Sequence, residues 1–173
     1  WGTALKLNEL GAKVITISGP DGYIYDPDGV SGEKVDYMLE LRASGKNICS
    51  PYAEKYPNAT FYAGKKPWEV DADLYIPCAT QNEIREEDAK SFVERGVKFV
   101  CEGSNMSSTN EAIKIMQDGG IIVGPSKAAN AGGVACSCIE MGQNAGKTVF
   151  TPEQVHAQLK DIMVGIHDAC KDA

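Results

Sequence analysis

The chain has 173 residues, enough for one domain with a sizeable core. Its 24 acidic side chains outnumber 17 basic ones, for a net charge of −7, which excludes nucleic acid as a main partner because phosphate binding needs a basic face. No apolar run approaches the roughly 20 residues of a membrane helix, and Trp1-Gly2-Thr3-Ala4 lacks the basic start and long apolar centre of a secretory signal. There is no initiator Met, so an internal piece of a longer chain is expected. The cysteines at 49, 78, 101, 136, 138 and 170 form no CxxC pair, and the single nearby His is His167, three residues before Cys170. They read as reduced thiols of a cytoplasmic protein rather than as metal ligands.

Trp1 to Leu10 places apolar residues at 1, 4, 5, 7 and 10, a helical face that Gly11 closes. Val14 to Ile17 is a short β-branched strand, and Ser18-Gly-Pro-Asp-Gly22 is a turn in which Pro20 fixes φ. Tyr23 to Tyr25 suits a short strand and Asp26-Pro-Asp-Gly29 another turn. Helices are expected at Val35 to Ala43 and Ser50 to Tyr56, and strands at Thr60 to Tyr62 and Asp73 to Ile76. The loop Pro77-Cys-Ala-Thr-Gln-Asn82 follows, then a helix over Glu86 to Arg95 stopped by Gly96. Val97 to Cys101 is a strand leading into the polar loop Glu102-Gly-Ser-Asn-Met106. Ser108-x-x-Glu111 has the form of a capping box and opens a helix to about Gln117. Gly119-Gly120 breaks it before the strand Ile121 to Val123. Thr151-Pro-Glu-Gln154 is a second capping box with Pro at the first helical position. It opens a last helix with Val155, Leu159, Ile162, Met163 and Ile166 on its apolar side.

The alternation of helix and strand indicates an α/β fold with a mostly parallel sheet. Ligands of such sheets sit beyond the carboxyl ends of the strands. The four strand ends at Ser18-Gly19, Pro77 to Gln81, Glu102 to Asn105 and Pro125 to Lys127 are all small, polar or glycine-rich, and one crevice lined by them is expected. The stretch from Gly124 to Asn144 is the focus. Gly132 and Gly133 remove two successive Cβ atoms so that the backbone can approach a flat ligand. Asn130 brings a carboxamide, and Ser137 a hydroxyl about one helical turn beyond Gly133. A dinucleotide-binding unit begins with a strand and a turn such as GxGxxG, which this sequence does not contain. The chain instead opens within a helix, where that turn would just have ended. The expected class is therefore a Rossmann-like doubly wound α/β sheet truncated at its N-terminal strand.

Gly11 to Val14, Ser18 to Tyr23, Pro77 to Asn82, Glu102 to Met106, Ser126 to Val134 and Glu140-Met141 closely resemble hexameric glutamate dehydrogenases of the small-subunit bacterial and protist type. The resemblance covers almost the whole sequence in order. It implies that residues 1–150 are a dinucleotide-binding domain incomplete at its N-terminus. It also implies that 151–173 lead back toward another domain, which carries the catalytic lysines and aspartate, so no catalytic residue falls within these 173 positions. The implied reaction is reversible oxidative deamination of L-glutamate to 2-oxoglutarate and ammonium, with hydride passing to NAD or NADP, in a homohexamer. By the same resemblance Asn105 and Asn130 hold the nicotinamide and its ribose. Thr80 and Gln81 border the ribose and pyrophosphate, while Ser18, Gly19, Pro20 and Asp21 meet the adenosine ribose. Val134 and Ser137 line the substrate pocket, with Ser137 donating to the distal carboxylate of glutamate. The sequence departs from the commoner family form in having Ser at 104 where Ala is usual, and Cys136 and Cys138 beside Ser137.

Plainer roles stand beside these. Ser137 can bond back one helical turn, Asn105 and Asn130 can serve only as turn residues, and Asp21 can be a turn residue. His156 and His167 lie on the last helix, away from the loops, and read as surface or structural residues. Strand Val14 to Ile17 ends in Ser18 with Asp21 three residues on, which leaves NAD against NADP open. A sister dehydrogenase acting on leucine, phenylalanine or valine is the enzymatic rival, although the polar Ser137 favours an acidic substrate. A non-catalytic nucleotide-binding module is the rival from another class.

Overall fold

The computed structural model describes residues 1–172 and divides into two compact units, Trp1–Val70 and Asp71–Ala173. Each unit has its own three-stranded sheet.

In the first unit, helix α1 (Gly2–Glu9) ends at Gly11, which takes the left-handed φ of 83°. Strands β1 (Thr16–Gly19), β2 (Gly22–Tyr25) and β3 (Thr60–Ala63) form an antiparallel sheet in the order β1-β2-β3. Only Pro20 and Asp21 separate β1 from β2, and a parallel return needs a crossover of a dozen or more residues. The parallel part of the mostly parallel sheet that was expected lies in the second unit, and the sheet of the first unit is antiparallel. Gly22 is forced: with φ at 142°, a Cβ there would stand 2.2 Å from the Tyr62 carbonyl oxygen. Helices α2 (Glu33–Ala43) and α3 (Ser50–Lys55) connect β2 to β3. Ile24, Val30, Val35, Met38, Cys49 and Tyr52 form the centre of this core. Tyr23 and Tyr62, paired across the strands, stack at 4.7 Å. Asp26 is fully buried, and its carboxylate accepts from Lys34 Nζ at 2.7 Å and from the Tyr52 hydroxyl at 2.6 Å.

The second unit is the parallel half. After a 3-10 turn at Pro67–Glu69 come β4 (Leu74–Tyr75), α4 (Glu86–Glu94), β5 (Phe99–Cys101), α5 (Asn110–Asp118) and β6 (Ile122–Gly124). The strands pair parallel in the order β4-β5-β6, with Tyr75 opposite Val100 and Val100 opposite Val123. Phe92 of α4 stacks on Tyr75 at 4.4 Å, and Val100, Ala112 and Met116 are buried with them. The helix cap differs from the sequence expectation by one residue. Thr109, not Ser108, caps α5, accepting from the Ala112 amide at 3.2 Å. Ser108 is drawn inward because its amide donates to the buried Glu102 carboxylate at 2.6 Å.

Beyond β6 the chain is more helical than its small residues suggest. Helix α6 (Ser126–Ala129) is a single turn, and α7 (Ala131–Gly146) begins immediately after Asn130. Helix α8 (Pro152–Lys171) opens on the expected capping box: Thr151 Oγ1 accepts from the Gln154 amide at 3.3 Å, and Gln154 accepts from the Thr151 amide at 2.9 Å. Val155, Leu159, Met163 and Ile166 are its half-buried residues, while Ile162 is 39% exposed. No helix among the described residues is long and apolar enough to cross a membrane.

Candidate functional site

Two loops leave the carboxyl ends of β4 and β5 side by side. The loop after β4 is joined to the loop after β5 at both of its ends. Near the strands, the Ser104 amide donates to the Pro77 carbonyl at 3.0 Å. Near the helices, Asn82 N–H donates to Met106 O at 2.9 Å, Glu83 N–H to Ser107 O at 2.7 Å, and Thr109 N–H to Ile84 O at 3.1 Å. Asn82 and Met106 take positive φ values of 53° and 50° to make this closure. Residues 78–81 form the arc between the two anchors.

That arc borders an open cleft of about 550 Å³, lined by Ala79, Thr80, Gln81, Gly103, Ser104, Asn105, Asn130, Gly133 and Val134. Thr80, Gln81, Asn105, Asn130 and Val134 thus line one cleft. The Asn130 carboxamide donates to the Asn105 carboxamide oxygen, which fixes both side chains at the junction of α6 and α7 with the β5 loop. Ser137 is exposed and does not line the cleft. Its hydroxyl donates to the Gly133 carbonyl at 3.3 Å, one turn back toward the cleft. The four-loop crevice takes a different form. Pro125, Ser126 and Lys127 line a separate cavity of about 240 Å³ with Glu102, because α6 starts directly after Pro125 and carries that segment past the larger cleft.

The paired glycines also divide. Residues adjacent on a helix point about 100° apart. A Cβ on Gly132 would meet Met163 Sδ at 3.8 Å and Leu159 Cδ1 at 3.9 Å, so Gly132 faces α8. Gly133 lines the cleft, and a Cβ built there meets nothing within 4 Å. The bare backbone at Gly133 leaves room for a flat ring, and the carboxamides of Asn105, Asn130 and Gln81 supply both donors and acceptors around it. The start of α7 has no side-chain cap and presents its positive end on this side. These residues fit a dinucleotide's nicotinamide end.

Ser18, Gly19, Pro20 and Asp21 lie together on the β1–β2 hairpin of the first unit. Ser18 is exposed and paired with Tyr23 in the strand register. Asp21 is partly buried and accepts from the amides of Cys49 and Ser50 at the start of α3. Burial pushes its pKa up, but these amide bonds outweigh burial and hold the carboxyl below its ordinary value. The contacts of Ser104 at the cleft, and the hold of the buried Glu102 carboxylate on the Ser108 amide, were not expected from the sequence. The departure at Ser104 was visible, but its partners come from the loop closure. Among the described residues no group of three or more His, Cys, Asp or Glu side chains is arranged to hold a metal.

An α/β unit with a polar cleft at the carboxyl ends of parallel strands is a nucleotide-binding architecture in its general class. The chain belongs to the glutamate/leucine/phenylalanine/valine dehydrogenase family, which it matches over residues 1–173. It is 57% identical over 170 residues to the NAD-specific glutamate dehydrogenase of Bacteroides fragilis, covering 98% of this chain and 38% of that protein. It is 45% identical over 170 residues to the NADP-specific glutamate dehydrogenase of Giardia intestinalis, covering 96% of this chain and 38% of that one. Among solved structures, the glutamate dehydrogenase of Plasmodium falciparum superposes with a TM-score of 0.93 at 40% identity, covering 98% of this chain and 36% of its own. The chain thus spans well under half the length of these relatives.

Proposed function

We propose that this chain is the cofactor-binding part of an NAD(P)-dependent glutamate dehydrogenase, an oxidoreductase that converts L-glutamate reversibly to 2-oxoglutarate and ammonium. The observation that carries this reading is the convergence of Thr80, Gln81, Asn105, Asn130 and Gly133 on one cleft at the ends of β4 and β5. The names of the relatives support it, since they are NAD-specific or NADP-specific glutamate dehydrogenases.

The bound dinucleotide supplies the hydride acceptor. Around it, Asn105 and Asn130 hold the nicotinamide and its ribose, their mutual hydrogen bond removing the freedom of both side chains before binding. Thr80 and Gln81 border the ribose and pyrophosphate. Ser18, Gly19, Pro20 and Asp21 are assigned to the adenosine ribose. Val134 stands at the cleft and Ser137 one turn further, where its hydroxyl can turn from the Gly133 carbonyl to the distal carboxylate of glutamate. Proton transfer at the amino group falls to residues outside these 173 positions.

We further assign residues 1–150 to a dinucleotide-binding domain and 151–173 to a helix leading back to a catalytic domain, with a homohexameric, cytoplasmic enzyme as the whole. The test is turnover by the full-length protein with glutamate against leucine, phenylalanine and valine, each with NAD and with NADP. Glutamate preferred by a wide margin upholds the reading. Leucine preferred over glutamate moves the chain to a sister enzyme, and dinucleotide binding without turnover of any amino acid makes it a nucleotide-binding module.

A further inference from the structure

Thr80 lies within the arc 78–81 between its two backbone anchors, and the Ser104 side chain reaches it from the β5 loop. Its hydroxyl oxygen lies 3.4 Å from the Thr80 carbonyl and 2.5 Å from the Ser107 hydroxyl oxygen. Ser107 is fully buried, Ser104 half-buried at the cleft. Each hydroxyl has a single proton. If the Ser104 proton goes to the Thr80 carbonyl, the proton between the two hydroxyls must come from Ser107. In that arrangement Ser104 donates to Thr80 and accepts from buried Ser107, a directed relay.

We propose that Ser104 is a positioning residue for the cofactor, tying the Thr80–Gln81 arc to the β5 loop so that Thr80 and Gln81 stand fixed opposite Asn105 and Asn130 before the dinucleotide arrives. This inference rests on the cofactor reading of the cleft. Alanine at 104 removes the link to Thr80 and orphans the Ser107 proton, which then falls back on the longer contact to the Ser104 carbonyl at 3.3 Å. Ordering of the arc is transferred to the binding step, where it weakens affinity. Because the tie is to a backbone carbonyl, the effect depends on the hydroxyl at 104 and not on the side chain at 80.

The experiment uses the full-length protein and its Ser104→Ala, Ser104→Thr, Ser107→Ala and double Ser104→Ala/Ser107→Ala variants. NADH and NADPH binding is measured by equilibrium fluorescence, and amide exchange is followed over residues 79–81 in the free protein. Loss of one hydrogen bond predicts about a three- to tenfold rise in Kd for Ser104→Ala. Kcat at saturating cofactor should fall less than affinity does. Exchange over 79–81 should quicken, Ser104→Thr should bind as the wild type, and the double variant should be no weaker than Ser104→Ala, since both serines act through one relay. Unchanged Kd and unchanged exchange in Ser104→Ala would overturn the inference while leaving the cofactor site in place, as would additive losses in the double variant. A wild type that binds neither dinucleotide overturns the cofactor reading itself, and the role of Ser104 falls with it.

Discussion

Asp21 accepts from the backbone amide of Cys49 through both carboxylate oxygens, at 2.9 and 3.0 Å, and one oxygen also accepts from the Ser50 amide at 2.9 Å. These contacts join the β1–β2 hairpin to the first residues of α3 across 28 positions of sequence. Asp21→Ala leaves those amides without an acceptor and should lower stability by about 1–2 kcal/mol in urea unfolding. The folded pKa is depressed, so the contribution is complete above the ordinary Asp value of about 3.9 and is lost as pH falls through the lower folded value. Asp21→Asn keeps one acceptor and should lose less. If stability is unchanged and only dinucleotide affinity moves, Asp21 serves the ribose and not the hairpin.

Asp26 sets up a second pH-dependent term in the same unit. Its carboxylate is fully buried and joins Lys34, Tyr52 and the Asp28 amide. Burial alone would raise its pKa, but the bond from Lys34, then that from Tyr52, outweighs it, and the pKa is lowered. Asp26→Asn should cost about 3 kcal/mol by leaving Lys34 without its counter-charge. In the wild type this stabilisation is present above the unfolded carboxyl value and disappears as pH falls below it through the folded pKa. A wild type and Asp26→Asn with parallel stability-against-pH curves as pH falls below about 4 would contradict this account.

Much of the architecture is legible because its signals are local. The β-branched and aromatic runs around Tyr75 and Val100, the left-handed stop at Gly11 and the Thr151 capping box depend on neighbours in sequence and occur where they were expected. What was not legible depends on distant partners. Ser108 and Thr109 are equivalent as caps until the buried Glu102 takes the Ser108 amide. The antiparallel half is decided by the two-residue turn at Pro20-Asp21, which a reading of helix and strand alternation passes over. Gly132 and Gly133 look alike until α8 is placed, and Pro125 to Lys127 resembles the other loops until α6 is seen to begin at once.

The two glycines give a matched pair of substitutions. Gly132→Ala puts a methyl in ordinary contact with Leu159 and Met163, and Gly133→Ala puts one into open cleft space. Both remove backbone freedom from α7 and should add about 0.5–1 kcal/mol to stability. Only Gly133→Ala should weaken dinucleotide binding, by tenfold or more, because its methyl occupies the approach to the backbone. Thermal unfolding and equilibrium binding on both variants check this, and equal binding losses at 132 and 133 would contradict the division between them.

The Cys49 thiol offers a chemical probe of the first unit. Burial, with the nearby Asp21 charge, pushes its pKa up to about 12, so almost no thiolate exists at neutral pH. Cys49 should therefore resist iodoacetamide at pH 8 in the folded protein and react within the unfolding time in urea. Mass mapping of the labelled peptides reads the outcome. In Asp21→Ala, where the hairpin is released from α3, labelling of Cys49 should accelerate through local opening.

Ser137 tests the substrate side. Its hydroxyl is exposed on α7 and bonds back to Gly133 at 3.3 Å, a geometry that any helical serine can adopt. That bond alone would make Ser137→Ala neutral or slightly stabilising, since alanine is the better helix former. A hydroxyl that instead donates to the distal carboxylate of glutamate contributes a charge-assisted bond, so its loss should raise the glutamate KM about tenfold or more. The KM for dinucleotide should move far less, because the cleft residues Asn105, Asn130 and Gly133 are untouched. Steady-state kinetics of the full-length variant, with glutamate and cofactor varied in turn, separate the two roles. A glutamate KM equal to that of the wild type, with stability equal or higher, would assign the hydroxyl to the helix alone.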